Sequence, residues 1–116
     1  MIEPNVHMQV RKQPGASVIE IHGEVTGFAE EALMNAYNEA GGQTPVVILD
    51  FSGLDYMNST GIGLLVTLLI RAQRQQQRLI ACGLSSHYRQ IFDLTRLDEA
   101  FSVYNTTDEA LAALVS

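Results

Sequence analysis

The sequence has little cysteine and no apolar run long enough to cross a bilayer. Its single cysteine, Cys82, excludes an internal disulfide and is typical of a reducing compartment. The longest strongly apolar stretch, Ile62 to Ile70, is far shorter than the roughly 20 residues of a membrane-spanning helix. The N-terminal segment MIEPNVHMQV lacks the basic-then-apolar pattern of a secretion signal. We therefore expect a cytoplasmic protein that does not act on a membrane.

Basic residues are also scarce. The chain has 7 Lys and Arg against 13 Asp and Glu, and its net charge of −6 argues against nucleic acid as a partner. The hydrophobic content of 47% is that of an ordinary globular protein. A length of 116 residues suits one core, and the chain has no repeats or low-complexity tracts. We predict a single domain over residues 1–116.

Alternating strand and helix patterns follow an N-terminal hairpin. Val6, Met8 and Val10 alternate with polar residues, Pro14-Gly15 predicts a turn, and Val18 to His22 predicts the antiparallel return strand. The other predicted elements are a helix over 28–40 ended by Gly41-Gly42, a strand over 46–50, a helix over 59–76, a strand over 78–83, a short helix capped by Ser85 or Ser86, a strand over 100–104 and a final helix opened by Thr106 and Glu109. This order predicts an α/β fold, with a mixed sheet packed against helices.

The segment Val46 to Gly63 contains the most informative pattern. A buried strand ends at Asp50, a loop over 51–58 follows, and Ser59 then opens a helix. Unpaired backbone N–H groups and the helix dipole favour negative charge at such a place, so Ser59 is a candidate phosphorylation site. Serine is also a common helix N-cap, and spacing alone favours that plainer interpretation.

The helix after Ser59 is apolar on more than one side. Helical spacing places Ile62, Leu65, Val66, Leu69 and Ala72 together, and we expect this side to face the sheet. Thr60, Leu64, Thr67 and Arg71 fall opposite, so we expect Leu64 to face solvent beside Ser59. Gly61 and Gly63 leave the backbone open to close approach. This pattern favours a surface on which a partner docks.

Other chemistries fit the sequence poorly. A hydrolase nucleophile elbow needs glycine where Met57 stands, and the three histidines are scattered along the chain. A P-loop lacks its glycine–lysine pair, and a dinucleotide fingerprint lacks its last glycine. A receiver domain with Asp50 as phosphoacceptor is a weaker alternative, because the only lysine, Lys12, lies near the N-terminus. We expect no enzyme activity, no metal and no cofactor.

Two stretches of the sequence strongly resemble the STAS domain of anti-sigma factor antagonists: ILDFSGLDYMNSTGIGLL and CGLSSHYRQIFDLTRLDEAF. The resemblance extends over essentially the whole chain. In that family, a serine in the turn before the helix is phosphorylated by a kinase that is also an anti-sigma factor. The resemblance therefore implies that the unphosphorylated chain binds this kinase, and that a metal-dependent serine phosphatase resets the switch.

The resemblance also implies roles for individual residues. Ser59 matches the phosphoacceptor, with Thr60 as a possible second acceptor, and Asn58 stands where the family often has aspartate. Asp50 and Ser52 match a pair that supports the loop. We expect the partner to bind on a surface that Ser59 forms with Asn58, Thr60, Gly61, Gly63 and Leu64. Many STAS domains instead serve as regulators or scaffold subunits in stress signalling, metabolism or transport, and that alternative stays open.

Overall fold

The computed structural model describes residues 5–115 and begins with the predicted hairpin. Strand β1 (Val6–Gln13) pairs antiparallel with β2 (Ala16–Val25) around the turn at Pro14-Gly15. Gly15 has a positive φ of 79°, which glycine adopts without steric cost. Residues 1–4, part of the segment in which we expected no secretion signal, lie outside the described residues.

The predicted order of elements is confirmed, with one short helix added. After a 3₁₀ turn at Gly27–Ala29 come α1 (Glu30–Ala40), β3 (Val46–Met57), α2 (Ser59–Arg74), β4 (Arg78–Cys82), α3 (Ser86–Leu94), α4 (Leu97–Ala100), β5 (Ser102–Tyr104) and α5 (Thr107–Leu114). The sheet order is β1-β2-β3-β4-β5. Among the strand pairs of residues 5–115, only β1–β2 is antiparallel, so the predicted mixed sheet is also confirmed. The carboxyl ends of β2 to β5 share one edge.

Strand β3 is longer than the sequence predicts. We expected it to end at Asp50, but it continues through Met57 beside β2, with two register shifts between Glu20 and Glu24. Gly53 permits this pairing, because a Cβ there would lie 2.2 Å from Nδ1 of His22. Strand β4 pairs with β3 only as far as Asp50 and Cys82. The last part of β3 therefore extends beyond β4.

Helices cover both faces of the sheet. The main core lies under α1, α2 and α3, and its large buried side chains include Leu33, Leu65, Leu68, Phe92 and Phe101. A smaller core lies under α5 and includes Val18, Ile48, Ile80 and Cys82. The predicted burial of Cys82 is confirmed.

The predicted helix ends are also found. Gly41 ends α1 with a φ of 96°, the Ser85 hydroxyl caps α3, and the Thr106 hydroxyl accepts from the backbone N–H of Glu109 at 3.1 Å. Glu109 in turn accepts from the N–H of Asn105 at 3.3 Å, one residue earlier than in a standard capping box.

Candidate functional site

Ser59 is the first residue of α2 and is exposed. The helix N-cap is Asn58, whose side-chain Oδ1 accepts from the N–H of Gly61 at 2.9 Å. Its backbone carbonyl accepts from Ile62 at 3.0 Å. The plainer interpretation of Ser59 as the N-cap is therefore wrong, and its hydroxyl is left outside the capping contacts.

The start of α2 favours an anion. Among the hydrogen bonds of residues 5–115, none uses the backbone N–H of Ser59 or Thr60. No acidic residue occupies the first turn, and Arg71 and Arg74 lie in the last turn, where positive charge complements the helix dipole. A phosphate on Ser59 would meet free N–H donors and the positive end of a long helix.

The turn that carries Ser59 is held by a strand on one side and by a helix on the other. The N–H of Asn58 donates to the carbonyl of Val25, at the end of β2, at 3.3 Å. The N–H of Met57 donates to the hydroxyl of Tyr88, on α3, at 2.8 Å. Ser59 thus projects from a fixed backbone.

Two of the predicted partner-binding residues are buried. A Cβ on Gly61 would lie 2.0 Å from the carbonyl oxygen of Val25, so this glycine allows α2 to pack on β2. Leu64 is 8% exposed and belongs to the main core. The expectation that Leu64 faces solvent is wrong, because Gly61, Leu64, Leu65, Leu68 and Ala72 form the buried side of α2.

The exposed side of α2 runs from Ser59 through Gly63, Val66, Thr67 and Ile70, at helical spacing; we call it the Ser59 face. Val66 and Ile70 are 39% and 45% exposed, although we expected Val66 to face the sheet. A Cβ on Gly63 would meet no atom within 4 Å. The Ser59 face therefore combines an exposed hydroxyl, open backbone and apolar side chains.

Thr60 and Phe28 lie beside the Ser59 face. Thr60 is exposed, and its methyl group would lie 3.2 Å from a Cβ on Gly27, which places the 3₁₀ turn next to the start of α2. Phe28, in that turn, is 67% exposed. Aromatic side chains are frequent anchors of protein interfaces.

Asp50 and Ser52 form a separate group. Asp50 Oδ1 accepts from the backbone N–H of Ser52 at 3.0 Å. Both residues line a cavity of about 240 Å³ with Gly83 and the start of α5. In β2, five residue steps separate Glu20, which pairs with Asp50, from Val25, which pairs with Met57, or about 17 Å at 3.3 Å per residue. Asp50 and Ser59 therefore lie near opposite ends of the last part of β3.

Asp50 also lacks the surroundings of a receiver phosphoacceptor. Lys12, the only lysine, lies on β1, two strands away in the sheet. His7 and His22 face each other across β1 and β2 with ring centroids 6.2 Å apart, and both are exposed. Among residues 5–115, no group of three or more His, Cys, Asp or Glu side chains could hold a metal ion.

The described residues contain no helix that is long and apolar enough to span a membrane.

A model of the STAS domain matches residues 7–110. The chain belongs to the STAS family. The match includes all five strands apart from the first residue of β1, together with α1 to α4 and the start of α5. The family assignment that the two sequence stretches suggested is confirmed.

Relatives of this STAS protein are named as anti-sigma factor antagonists. BtrV of Bordetella bronchiseptica, an inferred anti-sigma factor antagonist, is 31% identical over 67 residues, and the match spans 58% of each chain. The anti-sigma-B factor antagonist of Listeria monocytogenes is 22% identical over 107 residues, covering 90% of this chain and 94% of the relative.

Solved structures show the same fold. The phosphorylated form of SpoIIAA, a cell fate determinant of Bacillus, superposes with a TM-score of 0.72 at 23% identity, and the alignment covers 93% of this chain and 99% of that one. The likeness supports the arrangement of sheet and helices described above.

Sequence reasoning missed three residues around the start of α2. Tyr88 gives no sequence signal, because a tyrosine in a short amphipathic helix resembles any core residue. Phe28 is assigned to a helix face by periodicity, but the helix begins after it. Val66 is assigned to the wrong side of α2. Treating Gly61 as a packing position would have placed the buried side correctly.

Proposed function

We propose that this STAS protein is an anti-sigma factor antagonist that works by partner switching. When Ser59 carries no phosphate, the Ser59 face binds an anti-sigma factor that is also a serine kinase, and the sigma factor is released. When the kinase phosphorylates Ser59, the complex separates. The single observation that carries the proposal is the exposed Ser59 hydroxyl at the first residue of α2, outside the capping contacts.

The energetics of the proposed switch follow from the geometry. Phosphorylation adds about −1.5 to −2 charges. Within the chain, the free N–H groups and the dipole of α2 offset part of this charge, so the fold changes little. In a complex the same phosphate would be buried against the partner and lose water. A difference of about 3 kcal/mol changes the dissociation constant more than a hundredfold.

The Ser59 face suits a partner that approaches closely. Gly63 offers bare backbone, Val66 and Ile70 supply apolar area, and Phe28 offers an aromatic anchor at the edge. Of the residues expected to contact the partner, Thr60 and Gly63 are exposed and fit this role. Asn58 acts through the cap instead.

The remaining parts of the circuit belong to other proteins. The nucleotide and metal are bound by the kinase, and a metal-dependent serine phosphatase removes the phosphate, so the STAS chain itself needs neither cofactor nor catalytic residues. Thr60, also exposed, is the alternative acceptor.

Binding and phosphorylation can be tested with three forms of the chain. The wild type, Ser59→Ala and Ser59→Asp are titrated against the anti-sigma factor kinase encoded in the same genome. We expect Ser59→Ala to bind as the wild type does, and Ser59→Asp to bind at least tenfold more weakly. Mass spectrometry after incubation with the kinase and ATP should place phosphate on Ser59.

Two results would contradict the proposal. Equal binding of Ser59→Asp and Ser59→Ala would show that negative charge at this position does not control the complex. Phosphate found only elsewhere, or no phosphate turnover on Ser59 in cells, would favour the alternative of a STAS scaffold subunit that is never switched at this residue.

A further inference from the structure

The hydroxyl of Tyr88 contacts both peptide groups that flank the Cα of Met57, two residues before Ser59. It accepts a hydrogen bond from the N–H of Met57 at 2.8 Å and lies 3.4 Å from the Met57 carbonyl, to which it donates. Tyr88 is 8% exposed and Met57 is 4% exposed, so the contact is shielded from water. A buried hydrogen bond of this kind is costly to break, because the N–H is left without a partner.

The contact occupies a position that a neighbouring strand would normally fill. Strand β4 pairs with β3 only as far as Asp50, so β3 continues to Met57 without a strand on that side. The next N–H, that of Asn58, donates in the other direction, to the carbonyl of Val25 in β2. The end of β3 is thus held by a backbone bond on one side and by a tyrosine side chain on the other.

Tyr88 is itself attached to a firmly packed helix. Phe92, one turn further along α3, packs against Phe51 and Phe101 with ring centroids 6.2 Å and 5.6 Å apart. The Ser85 hydroxyl caps the helix by accepting from the N–H of Tyr88. The tyrosine hydroxyl therefore has a fixed place in the fold.

We propose that Tyr88 is a positioning residue, whose hydroxyl orients the Met57 peptide and so sets where the Ser59 hydroxyl lies for phosphate transfer. This inference rests on the proposed function, because the step it serves is phosphorylation of Ser59. Only Asn58 separates Met57 from Ser59, so a rotation of the Met57 peptide moves the acceptor oxygen directly. A displacement of about 1 Å can lower the rate of such a reaction by about 10²-fold.

The chain offers a matched control for removal of the hydroxyl. Tyr37 is 2% exposed, and its hydroxyl donates to the side-chain Oε1 of Gln77. Gln77 immediately precedes β4, so this bond lies at the amino edge of the parallel strands, whereas Tyr88 and Ser59 lie at the carboxyl edge. Tyr37→Phe and Tyr88→Phe each remove one oxygen from a buried hydrogen bond, at opposite edges of the sheet.

The test compares the wild type with these two variants by three measurements. They are the free energy of unfolding in urea, the exchange rate of the Met57 amide hydrogen by NMR, and kcat/KM for phosphorylation of Ser59 by the kinase. We expect both variants to lose stability. Only Tyr88→Phe should exchange the Met57 amide faster, by about tenfold or more, and only Tyr88→Phe should lower kcat/KM, by about tenfold.

The outcomes separate this inference from the proposed function. If the wild type is phosphorylated on Ser59 and Tyr88→Phe is phosphorylated at the same rate, Tyr88 is only structural and the inference fails while the function stands. An equal fall of kcat/KM in Tyr37→Phe would also overturn it, because lost stability would then explain the effect. If Ser59 of the wild type accepts no phosphate, the proposed function fails, and the inference fails with it whatever the amide exchange shows.

Discussion

The side chain of Asn58 caps the helix that begins with Ser59, with 2.9 Å between its Oδ1 and the backbone nitrogen of Gly61. The cap and the candidate phosphoacceptor are therefore adjacent residues with separate tasks. Changes at Asn58 should alter the stability of the start of α2. Changes at Ser59 should alter the charge and shape that the chain offers to a partner.

Replacing Asn58 tests the cap directly. Asn58→Ala should lower the free energy of unfolding by about 1 kcal/mol, because the N–H of Gly61 loses its acceptor. Asn58→Asp keeps the acceptor and adds a favourable charge at the helix start, worth about 0.3–1 kcal/mol. After phosphorylation of Ser59, repulsion between the two anions should reduce that gain. Urea unfolding of Asn58→Asp and the wild type, each with and without phosphate on Ser59, measures this reduction. A stability gain of the same size with phosphate present would contradict this account.

The two glycines of α2 should respond oppositely to alanine. Gly61→Ala places a Cβ against the carbonyl of Val25 and should destabilise the fold. Gly63→Ala meets open space and should stabilise the helix by up to about 1 kcal/mol, since alanine favours helix more than glycine does. Thermal unfolding distinguishes them. A stabilising Gly61→Ala would mean that α2 does not pack on β2 as described.

Leu64 and Val66 provide a similar pair for the orientation of α2. Leu64→Ala should cost about 2–5 kcal/mol, because it leaves a cavity in the main core. Val66→Ala should change stability by less than about 1 kcal/mol, and it should weaken binding of the anti-sigma factor if the Ser59 face is the docking surface. If Val66→Ala proves the more destabilising of the two, the helix is rotated relative to this description.

Cys82 should make the fold sensitive to alkaline pH. Burial raises the pKa of its thiol above the ordinary value of 9.0; a hydrogen bond from Thr107 partly opposes this shift, and the nearby Asp50 carboxylate adds to it. The folded chain therefore favours the neutral thiol, and the unfolded chain ionises first. The resulting stability is present below pH 9.0 and is lost as the pH rises through the raised pKa.

The comparison variant for this effect is Cys82→Ala, which has no thiol to ionise. The free energy of unfolding, measured by urea titration from pH 7 to 10.5, should fall less steeply above pH 9 in Cys82→Ala than in the wild type. Equal slopes would show that the thiol ionises as readily in the folded chain as in the unfolded one.

Much of the fold can be predicted from the sequence, because strand and helix patterns alternate clearly and are separated by glycines and capping residues. Gly41, Ser85 and Thr106 stand at the helix ends where the patterns place them. The end of β3 could not be predicted. Its residues after Asp50 alternate poorly, and their pairing with β2 depends on the space that Gly53 leaves for His22, which becomes visible only in three dimensions.

The candidate site was located from the sequence but only partly described. Ser59 at the start of a helix follows from the change of pattern around it, and Asn58 as a capping residue is compatible with its chemistry. The buried side of α2 was assigned wrongly, because the helix is apolar on several sides. A pattern of hydrophobic residues also does not mark a glycine as a buried position. The contact between Tyr88 and Met57 joins residues 31 positions apart in the chain, and local sequence patterns do not predict contacts over such a separation.

An amide at the cap also has no proton to gain or lose. A carboxylate in place of Asn58 would be protonated in acid, its hold on Gly61 would weaken, and the first turn of α2 would loosen as the pH fell. With asparagine there, acidification leaves the capping hydrogen bond to Gly61 unchanged. If Ser59 accepts phosphate as we propose, a fall in pH would therefore leave the cap of its helix intact.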